Sequence, residues 1–172
     1  MGKQETRKGV GLKPRVLLDT NVYGFLLRSS EATLLEEVRS THAVTFYGFD
    51  VIRGELRAIP QTAKECGRSL RNLALNLYDK LVGRHHYTKS NVVEALAVEY
   101  VKAYEGGISA KAMWSDFLIV ACATVHGLDV VVSEDRHSLL SAPALRAYKK
   151  VNKANDFGLP AFYPMEALQK LL

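Results

Sequence analysis

Four acidic residues carry the chemistry open to this chain. Asp19 ends the apolar run Val16-Leu17-Leu18 and is followed by Thr20-Asn21. That pattern reads as a buried strand delivering one carboxylate to its C-terminal tip, where open α/β sheets place their sites. Glu55 lies in a helical stretch, and Asp116 is the only carboxylate in an otherwise apolar helix. Asp135 closes the Ser133-Glu134-Asp135 tip of a second apolar run. A carboxylate beside apolar residues is costly unless it is paired, hydrogen-bonded or bound to a metal. Clustering several raises the cost, because like charges disfavour joint ionisation. A divalent cation removes the conflict. Oxygen-only ligands suit a hard ion, Mg²⁺ or Mn²⁺, and no His or Cys cluster competes for a softer one. Such an ion orients a water, lowers its pKa and holds a phosphodiester oxygen.

Each acid also has a plainer role. Asp19 could cap the helix that Thr20 opens. Glu55 could be solvated beside Arg53 and Arg57. Asp116 could pair with Lys111, and Asp135 could cap the helix after it. Glu134 reads as a surface residue, and Asp50 is a weaker rival to Glu55.

The elements that must position these groups follow from pattern. A strand follows Pro14, and a short helix bears Val22, Phe25 and Leu26. Ser29 or Ser30 caps a second helix with Leu34, Leu35 and Val38 inward. His42 to Tyr47 is a second strand, ended by Gly48. A helix over about 50–59 carries Glu55 and stops at Pro60. Leu70, Leu73, Ala74, Leu77, Tyr78 and Leu81 fall on one helical face. Asn91 with Glu94 resembles a capping box before Val93, Leu96, Ala97, Tyr100, Val101 and Tyr104. The helix from Ala110 to His126 is apolar almost all round from Phe117 to Val125, so it is buried on most sides. Leu128 to Val132 is a third strand. A basic helix over about 138–153, interrupted at Pro143, precedes an edge strand at Ala161–Tyr163 and a terminal helix. Strands alternating with helices predict an α/β/α sandwich around a mainly parallel sheet. Right-handed crossovers put Asp19 and Asp135 along the same sheet edge.

Composition narrows the class. The 172 residues are 48% hydrophobic and 24% charged, which fits one globular domain over 14–172. Residues 1–13 carry Lys3, Arg7, Lys8 and Lys13 and read as a flexible basic tail. They lack the apolar core of a signal peptide. The longest apolar stretch falls far short of the roughly 20 residues that span a bilayer. Cys66 and Cys122 sit in helical patterns outside any Cys-x-x-Cys pair, which predicts two buried thiols in a reduced, cytoplasmic protein. The net charge of +5 favours a polyanionic partner.

Val-Leu-Leu-Asp-Thr-Asn at 16–21, Glu55, Trp-Ser-Asp-Phe-Leu-Ile-Val-Ala at 114–121 and Val-Val-Ser-Glu-Asp at 131–135 together resemble the PIN-domain family. The match runs from 15 to 140 in the family's order. The resemblance implies a PIN-like fold and places Asp19, Glu55, Asp116 and Asp135 as ligands of Mg²⁺ or Mn²⁺ and as the catalytic acids. Thr20, Asn21 and Ser133 fall where the family has small polar residues supporting the site, with Ser133 where Thr is commoner. It also implies hydrolysis of single-stranded RNA to a 5′-phosphate and a 3′-hydroxyl, and a homodimer. The role would be the toxin of a toxin–antitoxin pair, with a small antitoxin protein as partner, or RNA processing. The chain is longer than the compact toxin members.

Two other classes compete. A non-catalytic RNA-binding or scaffold PIN domain need not keep four acids. A haloacid-dehalogenase-type phosphatase also begins with a strand-end Asp, but wants a second Asp two residues on, where Asn21 stands. Lys64, Arg68, Arg71, Lys80, Arg84 and Lys89 form one basic segment, and Arg136, Arg146, Lys149, Lys150 and Lys153 another. Each reads as a solvated face or as a phosphate track beside the acids. Trp114 reads as core, and His85-His86 lacks the partners of a metal site.

Overall fold

The computed structural model describes residues 12–172; the rest of the expected basic tail lies outside the described residues. The chain runs β1 (Arg15–Leu18), α1 (Thr20–Leu26), a 3₁₀ turn at Ser29–Glu31, α2 (Ala32–Ser40), β2 (Thr45–Phe49) and α3 (Asp50–Ala58). A small hairpin, β3 (Lys64–Glu65) and β4 (Arg68–Ser69), leads into α4 (Leu70–Val82) and β5 (His86–Tyr87). Then come α5 (Asn91–Ala103), α6 (Ala110–Val125), β6 (Val130–Ser133), α7 (Ala142–Ala154), β7 (Ala161–Pro164) and a 3₁₀ segment, Met165–Leu171.

The main sheet has five strands in the order β5-β2-β1-β6-β7, and every neighbouring pair is parallel. β1 is central because it is apolar on both faces. Val16, Leu17 and Leu18 point alternately up and down, yet all are fully buried, so helices cover both sides. α1, α3 and α4 pack together beside β2, while α5 packs on α6 and α7. α6 is the most buried helix, with an unbroken buried run from Phe117 to Thr124. No described helix is long and apolar enough to cross a membrane.

Chain order places the crevice. From β1 the chain moves outward to β2 and β5, then crosses back to β6 and on to β7. Loops leaving β1 and β6 therefore diverge, and the gap between them at the strand C-termini is the topological switch point.

Several boundaries differ from the sequence expectation. β2 starts at Thr45 and includes Gly48, whose N–H donates to the His85 carbonyl at 2.9 Å. Glycine stands there because a Cβ would overlap the Tyr78 hydroxyl and ring, so it admits α4 rather than ending the strand. Neither Ser29 nor Ser30 caps α2; that stretch forms the 3₁₀ turn and α2 starts without a side-chain cap. Ser90, not Asn91, caps α5 by accepting from the Val93 N–H. Pro143 opens α7 instead of interrupting it, since its missing N–H costs nothing in a first turn. The C-terminal segment is 3₁₀. Cys66 is exposed, not buried: with Gly67 it forms the positive-φ tip of the β3–β4 hairpin. Cys122 is buried as expected.

Candidate active site

Asp19 stands one residue past β1. Its own N–H donates to the Val132 carbonyl at 2.9 Å, so the β1–β6 ladder extends far enough to hold it beside the tip of β6. The carboxylate is 4% exposed. Its Oδ1 accepts from the Thr20 N–H at 2.7 Å, which caps α1. Its Oδ2 accepts from Asn21 Nδ2 at 3.0 Å and from the Ser133 hydroxyl at 2.6 Å. The capping role and the site role therefore belong to the same side chain, using different oxygens.

The supporting residues join three elements. The Thr20 hydroxyl donates to Glu55 Oε2, tying α1 to α3. Asn21 Oδ1 accepts from the Glu134 N–H at 3.0 Å, tying α1 to the end of β6. Ser133 Oγ accepts from the Asp135 N–H at 3.0 Å while it donates to Asp19. Glu55 is thus held by Thr20. Arg53, its plainer alternative partner, is engaged by both Asp79 oxygens at 3.1 Å. Glu134 turns away and approaches Arg28 at 3.9 Å.

Asp135, like Asp19, accepts from three donors. Its Oδ1 accepts from the His137 and Ser138 N–H groups, each at 2.9 Å, and its Oδ2 from the Ser138 hydroxyl. Burial pushes its pKa up, but these donors and the nearby His137 outweigh that and leave it below the usual carboxylate value. It caps a turn, not α7 itself, which begins later at Ala142. Asp116 sits in the second turn of α6. No ion pair to Lys111 forms among the described residues; the Ser138 hydroxyl, donated to Asp135, lies near enough to favour the charged form of Asp116. Ser138 therefore holds Asp135 through both its N–H and its hydroxyl, a role the sequence reading missed. The available signal was a serine three residues after Asp135, the spacing at which a side chain folds back on a turn.

The four acids share one electrostatic field. Burial is the largest cause raising Asp19 to about 6, against the Ser133 and Thr20 hydrogen bonds, and the charges of Glu55 and Asp135 add to it. Burial likewise raises Asp116 to about 7, with Asp19, Asp135 and Glu55 adding repulsion. Among the described residues, no three such side chains are drawn into a ready-made ligand set. The donors nonetheless suit a hard divalent cation. All are carboxylate oxygens, and two of the acids carry the repulsion and desolvation that a cation relieves.

The remaining candidates fall elsewhere. Asp50 accepts from the Lys89 N–H at 3.1 Å and lies 2.8 Å from His86 Nε2, away from the crevice. His86 is held on its other side by Tyr78. Trp114 is half-buried on a shallow apolar surface with Val98 and Val101.

No family model and no curated protein matches the chain. Solved structures do. VapBC2 from Rickettsia felis, bound to a DNA fragment from their promoter, is 13% identical with a TM-score of 0.52, over 87% of this chain and 98% of that one. FitAcB from Neisseria gonorrhoeae is 20% identical with a TM-score of 0.54, over 89% and 99%. FitAB bound to an IR36 DNA fragment is 19% identical with a TM-score of 0.52, over 87% and 94%. At such identities the likeness speaks for architecture. The parallel sheet order, the acids at its switch point and these neighbours agree: the chain has the PIN-domain fold.

Proposed function

We propose that the protein is a metal-dependent endoribonuclease that hydrolyses single-stranded RNA. One observation carries the reading: four carboxylates from four separate elements act on one another at the switch point, and two are pushed toward neutral pKa values there. Carboxylates so perturbed in a crevice are what a hydrolytic metal site calls for.

Asp19, Glu55, Asp116 and Asp135 would hold Mg²⁺ or Mn²⁺, and Thr20, Asn21 and Ser133 orient the ligands. When bound, the ion supplies Lewis-acid activation of water and charge neutralisation on the phosphodiester. The chain's own contribution is positional. The Ser133 hydroxyl and Thr20 N–H aim the two Asp19 oxygens apart. Ser138 fixes Asp135 against the turn after β6. The apolar bodies of β1 and α6 lower the local dielectric, which strengthens each of these contacts. Cations on the β3–β4 hairpin and α4, exposed at Lys64, Arg68 and Lys80 and half-buried at Arg71, offer a path for the phosphate backbone.

The solved neighbours are VapBC and FitAB complexes, which favours the toxin of a toxin–antitoxin pair over a general processing enzyme. A small antitoxin protein is the partner this reading implies, and a homodimer is the assembly. The second reading is a non-catalytic RNA-binding PIN domain.

Single-stranded RNA, single-stranded DNA and a small phosphate ester, each incubated with and without Mn²⁺, separate the alternatives. The nuclease reading expects cleavage of the RNA alone, dependent on Mn²⁺ and lost in Asp116→Asn. Binding of RNA without cleavage by the wild-type chain would favour the scaffold.

A further inference from the structure

The run His85-His86-Tyr87 is used only in part by the tie to Asp50. β5 is an edge strand, and alternation along it splits the run between the two faces of the sheet. His86 turns toward α4, where the Tyr78 hydroxyl lies 2.7 Å from its Nδ1. Tyr87 turns to the opposite face. His85 shares that face, because the Gly48 N–H donates to its carbonyl at 2.9 Å and so carries the β2–β5 ladder back to it. Tyr47 precedes Gly48 on β2 and stands on the same face. The outcome is a run of four aromatic rings. His85 is tilted against Tyr47 at 4.9 Å between centroids, and Tyr47 lies nearly parallel to Tyr87 at 5.6 Å. His126, which ends α6, stacks flat on Tyr87 at 3.6 Å. His85 is exposed and the other three are half-buried, so the run reaches solvent at the edge of the sheet.

Space and cations adjoin the rings. Tyr47 also walls a cavity of about 940 Å³ with Lys13, Arg15, Thr45 and Tyr163, a volume in the range of ligand sites. Arg15 pairs with Asp129 at 3.3 Å, yet its side chain stays 41% exposed. Lys13 and Arg84, the latter next to His85, are exposed. The acids lie toward the other end of the same helix. Asp116 is in the second turn of α6 and His126 at its close, about 15 Å apart at the rise of an α-helix. A short oligonucleotide spans that distance.

We infer that the His85, Tyr47, Tyr87 and His126 rings form a stacking platform for the bases of single-stranded RNA, with Lys13, Arg15 and Arg84 meeting its phosphates. This rests on the RNA-cleaving reading above and names where the strand is held outside the crevice. Every base has a π-face, so aromatic rings hold a strand without reading its sequence, while neighbouring cations track the backbone. Tyrosine and histidine both serve as such rings, and a sheet face is a recurrent place to present them.

The test uses the full-length chain in EDTA, which withholds divalent cations and leaves the strand uncut. The probes are a fluorescein-labelled oligoadenylate and an abasic oligomer of the same length, with affinity read by anisotropy. The wild type should bind the oligoadenylate more tightly than the abasic chain. His85→Ala and Tyr87→Leu should each weaken oligoadenylate binding about tenfold, the size of one lost base–aromatic stack, and leave abasic binding unchanged. Arg84→Gln should weaken both probes alike and flatten their salt dependence. His85 is exposed, so its variant keeps the test sound even if Tyr87→Leu melts early. If the wild type binds both probes equally, or if His85→Ala binds the oligoadenylate as the wild type does, the platform is wrong and the RNA reading stands. Equal loss of both probes in His85→Ala likewise overturns stacking. If the wild type binds neither probe, platform and RNA reading fall together.

Discussion

Asp19 and Asp50 occupy the same formal position. Each immediately follows a parallel strand, at the start of a helix, on the same edge of one sheet. Their surroundings diverge. Asp19 is 4% exposed, and burial, with the charges of Glu55 and Asp135, lifts its pKa to about 6. The Asp50 side chain is 47% exposed. Burial works against its charge, but the His86 hydrogen bond, the Lys89 N–H and both residues' charges outweigh that and hold it below the usual value. A strand-tip acid is thus no site by itself. It becomes one where the sheet reverses direction and other acids converge, and it becomes a structural tie where an imidazole meets it. The Asp50–His86–Tyr78 chain joins α3, β5 and α4 at the sheet edge, while the Asp19 network joins α1, β6 and α3 at the crevice.

Substitution should separate the two regions. Asp19→Asn is expected to reduce Mn²⁺-dependent RNA cleavage by more than the roughly 100-fold that a supporting residue carries. Asp50→Asn should leave cleavage at the wild-type rate and lower stability by under about 1 kcal/mol, since its pairing is solvent-screened. Equal losses of activity in the two variants would erase the distinction.

A smaller effect belongs to Ser133→Ala. Ser133 donates to Asp19 and accepts from the Asp135 N–H, so its loss frees two acids at once. A decrease of roughly 10–100-fold in Mn²⁺ affinity or activity is expected. Tyr78→Phe, its counterpart in the other cluster, should leave Mn²⁺ affinity unchanged.

The pH dependence of stability gives the finest discrimination. Asp19 and Asp116 have folded pKa values raised above the ordinary 3.8, so they contribute stability that is complete below that value. That contribution is lost as pH rises through about 6 and about 7. Asp50 is lowered, and its contribution is lost in the opposite direction, as pH falls below the ordinary value. Metal-free thermal melts should therefore fall from pH 5 to pH 8, less so in Asp116→Asn, and Mn²⁺ should restore them at pH 8. A flat profile in metal-free wild type would mean that burial and the neighbouring charges do not raise Asp19 and Asp116.

Much of this was legible along the chain. Val16-Leu17-Leu18-Asp19 announces a doubly covered strand with an acid at its tip, because period and apolarity are local properties. The amphipathic face from Leu70 to Leu81 and the all-apolar α6 were readable on the same grounds, and the four acids could be named as candidates. Gly48 was misread because a strand interior that contacts a tyrosine from a distant helix looks, locally, like a strand end. Cys66 was misread because two positive-φ residues suffice to make a hairpin tip, and the surrounding pattern does not reveal them.

What the linear order decided is which residues are apolar, which are acidic and roughly where each element begins, since these depend on neighbours within a few positions. What the folded chain alone decided is the company each acid keeps. The strand order set β6 beside β1, the cap at Asp19 left an oxygen for Ser133, and Ser133 in turn joined Asp19 to the Asp135 N–H. Those are contacts between residues far apart in sequence, and burial and hydrogen bonding exist only once the sheet has closed around them.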